Sequence, residues 1–136
     1  MPNKNKILII EDEINTIRAA VKKLEKRNNT IVKHVVFMED AEEFLKTDKY
    51  DLLVVDARIP SIRQDSLVEE GGLDLMKKLV NSEFGNLNNN TMFIILSSQA
   101  HSLRNEEIIS HELCGGLFPK LLYTEYMNFI EDALDE

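Results

Sequence analysis

At 136 residues, with 43% apolar side chains, the chain has room for one domain spanning residues 1–136 and none for a second. Sixteen lysines and arginines against 24 aspartates and glutamates leave a net charge of −8, which disfavours direct binding to nucleic acid. The single Cys114 can form no disulfide within the chain, and the N-terminus offers only four apolar residues before Glu11, too few for a signal peptide or a membrane span. A cytoplasmic protein is expected.

Apolar runs and amphipathic segments alternate along the chain. Residues 7–10 read as a first strand, and Ile14, Ile17, Val21 and Leu24 recur at helical spacing up to the Lys26-Arg27-Asn28-Asn29 cluster. Residues 30–37 are rich in β-branched side chains and predict a second strand. A short acidic helix over 40–46 follows, burying Ala41, Phe44 and Leu45. Residues 52–55 form the third and most apolar strand. Residues 61–72 read as an extended loop, and a helix over 73–80 begins after the Gly71-Gly72 pair. An Asn-rich loop over 84–90, a strand over 92–96, a helix over 102–113, a short strand over 116–119 and an acidic helix over 123–134 complete the chain.

Strict alternation of five strands with five helices predicts an α/β fold. Parallel pairing with right-handed crossovers makes it a doubly wound sheet with helices on both faces, flavodoxin-like in its order 2-1-3-4-5. In that order strands one and three are neighbours at the switch point. Ile7-Leu8-Ile9-Ile10 runs into Glu11-Asp12-Glu13, and Leu52-Leu53-Val54-Val55 runs into Asp56, so Glu11, Asp12 and Asp56 are brought into one small volume. Carboxylates held that close repel one another unless a divalent cation or a lysine neutralises them. The cluster predicts a metal, and oxygen ligands with open positions suit Mg²⁺.

With these residues the whole chain resembles the receiver domain of two-component response regulators. The matching positions are Glu11-Asp12 after strand one, Asp56 at the end of strand three, Ser97 at the end of strand four and Lys120 after strand five. The resemblance implies that Asp56 is the phosphoacceptor, that Asp12 ligates Mg²⁺ directly, and that Glu11 acts through water. The backbone carbonyl of Arg58 would complete the metal shell. Ser97 would hydrogen-bond the phosphoryl group, and Lys120 would pair first with Asp56 and then with the phosphate. It further implies a phosphoprotein in a phosphorelay rather than a turnover enzyme. Its partners would be a histidine kinase or phosphotransfer protein and a downstream effector protein, with no output domain of its own. Such domains also pair through the last helix, where Tyr126, Phe129, Ile130 and Leu134 form a stripe suited to a homodimer.

Two related chemistries fit less well. A flavodoxin cradles phosphate in the loop after strand one, where the acidic Glu11-Asp12-Glu13 would repel it. Haloacid-dehalogenase-like phosphatases need an acid two residues after the nucleophile, a position held here by Arg58, which cannot give up a proton.

The chain also departs from the receiver pattern. Its proline precedes the lysine, in Phe118-Pro119-Lys120-Leu121, where receivers carry one after it, and Leu117 stands where they carry a switching aromatic. Phe118, one residue on, is expected to face the opposite side of the sheet. These departures favour an alternative in which the chain is an interaction module that works without phosphorylation. The 61–72 loop would then be a lid or docking surface. His34, His101, His111 and Cys114 are too scattered for a zinc site, and the acidic end of the last helix reads as a solvated face.

Overall fold

A computed structural model describes residues 5–61, 64–68, 71–98 and 106–135. Five parallel strands form the sheet: β1 (Asn5–Ile10), β2 (Thr30–Val35), β3 (Leu52–Asp56), β6 (Met92–Ser97) and β7 (Cys114–Pro119), in the order β2-β1-β3-β6-β7. This is the expected order, because β6 and β7 are the fourth and fifth strands of the sequence reading. The strands β4 (Ile59–Ser61) and β5 (Gln64–Val68) pair antiparallel as a separate hairpin. The segment read as an extended loop is therefore ordered in large part. In the hairpin Ile59 pairs with Val68, Pro60 with Leu67 and Ser61 with Gln64.

Successive side chains of a strand point to opposite faces, and the core divides accordingly. Leu8, Ile10, Leu53, Val55, Phe93 and Ile95 face α2 (Met38–Thr47), α3 (Gly71–Val80) and the short α4 (Glu106–Ile109). Ile7, Ile9, Leu52, Val54, Ile94 and Leu96 face α1 (Ile14–Glu25) and α5 (Tyr123–Leu134). Both faces of the central strands are dry, which is why they read as unbroken Ile/Val/Leu runs. In α1 the buried positions are Ile17, Ala20 and Leu24, whereas Ile14 is 49% exposed. The helical period holds from Ile17 onward, and the first turn leaves Ile14 on the surface. Of the helix expected over 102–113, residues 102–105 lie outside the described residues, and the remainder is helical only over Glu106–Ile109 before a hydrogen-bonded turn leads into β7.

Two corrections concern the ends of elements. The helix α3 begins at Gly71 rather than after the glycine pair. A Cβ on Gly72 would lie 1.9 Å from the carbonyl oxygen of Asp56, so this turn packs against the end of β3 as only glycine can. On α5, Tyr126, Met127 and Ile130 are buried in the core with Phe129 and Leu134 packed beside them. Of the stripe suggested for homodimer contacts, Tyr126 and Ile130 therefore belong to the core, and Phe129 and Leu134 keep part of their surface exposed. At the acidic end Asp132 and Asp135 are exposed, as a solvated face requires, and Glu131 pairs there with Lys23 and Arg27, and Asp135 with Arg27.

Leu117 and Phe118 face opposite sides, as expected. Leu117 packs toward the α3 and α4 layer, and Phe118 stacks with Phe129 at 5.6 Å between ring centroids.

Candidate functional site

Parallel pairing puts four strand ends side by side. The register matches Ile10 to Val55, Asp56 to Leu96 and Ser97 to Pro119. Each residue that follows β1, closes β3 or β6, or follows β7 therefore emerges at the same edge. Backbone hydrogen bonds continue the ladder past the strands, from Glu11 N–H to the Val35 carbonyl, from Ala57 to Leu96 and from Lys120 to Ser97. They hold the loop starts rigidly. One cleft results, lined by Asp12, Glu13, Asp56, Arg58, Ser97, Ser98 and Lys120.

At its floor the Lys120 ammonium lies 2.8 Å from Asp56 Oδ2, 3.0 Å from Glu11 Oε1 and 2.9 Å from Glu13 Oε1. Glu11, Asp56 and Lys120 are only 1%, 2% and 6% exposed. Carboxylate oxygens of Glu11, Asp12, Glu13 and Asp56 all lie within 4.8 Å of one another. Four acids crowd round one lysine, and their ionisation follows from that. Burial foremost, then the hydrogen bond and charge of Glu11, pushes Asp56 up to about 8 against the pull of Lys120. Burial also raises Glu11, partly offset by its contacts with Asp56, the Glu13 N–H and Lys120. Burial works against the Lys120 ammonium, but its bonds to Asp56 and Glu13 outweigh it and hold the amine above the ordinary lysine range. The same lysine holds the Glu13 carboxyl below the usual range.

The donor set fits a divalent cation. Glu11 Oε2 and Asp12 Oδ1 are buried and have no hydrogen-bond partner. As ions, Glu11 and Asp56 can only repel each other, and a hydrogen bond between them requires a shared proton. A hard cation on these oxygens would satisfy the stranded lone pairs and remove the need for that proton.

Glu11, Asp12, Asp56, Arg58, Ser97 and Lys120 thus all reach the cleft or its floor. The Arg58 N–H donates to Asp56 Oδ1 at 3.1 Å, which fixes the turn that follows β3. Ser97 is 3% exposed on the cleft wall. The displaced proline does not shorten the reach of Lys120. Gln99, two residues beyond Ser97, and His101 lie outside the described residues.

Two contributors escaped sequence reasoning. Glu13 was taken only as part of an acidic run; its position at the N-cap of α1 brings it back over Lys120. His34 was read as scattered, but its Nε2 lies 2.8 Å from the Glu11 carbonyl oxygen, bracing the acidic turn from β2. Nothing in the spacing could reveal either, because both contacts cross between separate elements. His111 is structural: its Nδ1 accepts the Leu113 N–H in the turn before β7.

The fold is that of response regulator receiver domains. The chain is similar to a CheY-like receiver domain protein from Methanospirillum hungatei, with a TM-score of 0.75 and 19% identity over 98% of this chain and 95% of that one. It is also similar to the non-phosphorylated receiver domain of HemR from Leptospira biflexa, at 0.72 and 24% over 98% and 96%. A third likeness is to the response regulator TrrA of Thermotoga maritima in complex with Mg²⁺ and BeF, at 0.68 and 17% over 95% and 98%. No protein-family model matches the chain, and no curated protein matches it.

Proposed function

We propose that the whole chain acts as one receiver domain, accepting a phosphoryl group on Asp56 and signalling through phosphorylation-dependent contact with an effector protein. The observation that carries this reading is the convergence of Glu11, Asp12, Asp56 and Lys120 at one edge of the sheet, with acid oxygens left unsatisfied. Glu11, Asp12 and Asp56, with the Arg58 carbonyl, would hold Mg²⁺. Bound there, the ion would screen the charge of an incoming phosphoryl group and keep Asp56 ionised.

The protein's own groups do the rest. An Asp56 carboxylate oxygen attacks the phosphorus of a phosphohistidine on a kinase or phosphotransfer protein. An O–P bond forms as the N–P bond breaks, and the imidazole keeps the electron pair. Lys120, already charged beside Asp56, neutralises the phosphoryl oxygens, and the Ser97 hydroxyl donates to one of them. Later attack by water on phosphorus returns the carboxylate and inorganic phosphate. The chain is thus a self-modifying signalling protein rather than a turnover enzyme. No helix among the described residues is long and apolar enough to cross a membrane, in keeping with a cytoplasmic site of action.

One observation favours the alternative of a phosphorylation-independent interaction module: Leu117, which has no hydroxyl to trade between core and water, occupies the inward position on β7. Intact mass after incubation with acetyl phosphate separates the two readings. A Mg²⁺-dependent gain of one phosphoryl group, absent in Asp56→Asn, is expected. No gain with acetyl phosphate or with any of a panel of histidine kinases would leave the interaction module as the better account.

A further inference from the structure

An ammonium group has three N–H donors, and in Lys120 all three face carboxylates, those of Glu11, Glu13 and Asp56. For Lys120 to meet a phosphoryl oxygen it must let one of them go. The three are not equivalent. Glu11 and Asp56 have side chains 1% and 3% exposed, whereas that of Glu13 is 59% exposed. Releasing Glu11 would strand a charge in a dry site, and Asp56 passes its charge to the phosphoryl group it carries, but Glu13 keeps its charge, is repelled by the same phosphoryl oxygens and can turn into water at little cost. Among the described residues its other side-chain hydrogen bond is a long one, accepted from the Thr16 hydroxyl at 3.4 Å.

Resting on the receiver reading above, we propose that Glu13 is the exchangeable counter-ion of Lys120, displaced when a phosphoryl group arrives and returning when it leaves. Glu13 would therefore act in two opposite senses. Its charge, within the same cluster as Glu11, Asp12 and Asp56, strengthens the attraction for a divalent cation. The same charge competes with the phosphoryl oxygens for Lys120 and repels them, so Glu13 limits the occupancy of the phosphorylated state.

The test compares wild type with Glu13→Gln and Glu13→Ala; the alanine variant guards against the glutamine amide taking over the contact with Lys120. Calorimetric titration with Mg²⁺ alone is followed by titration with beryllofluoride at saturating Mg²⁺. Loss of one partly screened charge should weaken Mg²⁺ binding about threefold and tighten beryllofluoride binding about fivefold. Opposite signs are diagnostic, since a variant that merely loosened the turn would weaken both. Beryllofluoride affinity in both variants equal to or weaker than wild type would overturn the proposal while leaving the receiver reading intact. Failure of the wild type itself to bind Mg²⁺ or beryllofluoride would overturn both.

Discussion

At the N-terminal edge of the sheet Asn88 is 1% exposed, and every polar atom of its side chain is paired. Its Oδ1 accepts the Tyr50 N–H at 2.8 Å, and its Nδ2 donates to the carbonyls of Leu45 and Asp48 at 2.9 and 2.6 Å. At the C-terminal edge Glu11 is equally buried, yet its Oε2 has no donor and its neighbour Asp56 is another acid. A satisfied neutral side chain rigidifies the loop around it. An unsatisfied charged cluster costs stability, a cost that the proposed cation would offset. The two edges thus separate polar burial that is satisfied within the fold from polar burial that is not.

The largest effect is expected at the structural edge. Asn88→Ala should lower stability by about 3 kcal/mol, because it leaves a buried N–H and two buried carbonyls without partners. Its denaturation midpoint should fall while Mg²⁺ affinity stays at the wild-type value. Gly72→Ala should lower stability by about 2 kcal/mol by pushing the new methyl into the Asp56 carbonyl. Unlike Asn88→Ala, it should also weaken Mg²⁺ binding, since the displaced atoms belong to the site.

A change of opposite sign is expected from Asp56→Asn in divalent-free buffer at pH 8, a gain of about 1 kcal/mol. It removes a buried like-charge contact and leaves Lys120 paired with Glu11 and Glu13. A loss of stability in this variant would break the comparison between the edges.

The pH dependence follows from the same crowding. With Asp56 pushed up to about 8, the folded chain holds a proton that the unfolded chain has already released. Stability without metal should therefore fall as pH rises from the ordinary carboxylate range toward about 8, and level off above it. A melting temperature several degrees lower at pH 8 than at pH 6 is expected, with Mg²⁺ raising it more at pH 8, where fewer protons must be expelled. Asp56→Asn should flatten the curve.

The smallest effect belongs to the surface. Arg27→Ala removes the clasp between α1 and α5 formed with Glu131 and Asp135. It should cost about 0.5 kcal/mol, and less at high salt.

The strand runs, the helical periods and the alternation between them were legible in the sequence because burial on one or both faces imposes a period on the residues. The alternation implied a parallel, doubly wound sheet, and the flavodoxin-like order that the receiver resemblance implies brought Asp12 and Asp56 together. Lys120 and Ser97 were legible through the receiver resemblance, which matches them at strand ends. Tertiary structure alone decided the rest. The hairpin at residues 59–68 depends on pairing across a turn, and its sequence lacks a strong turn signature. Asn88 looked like one asparagine in a polar loop, since its partners lie 38 to 43 residues away. Glu13 and His34 joined the site through contacts at separations of 107 and 23 residues. Periodicity records which way a side chain faces. Which group it meets there is set by how the elements pack, and the charge balance of this cleft depends on those meetings.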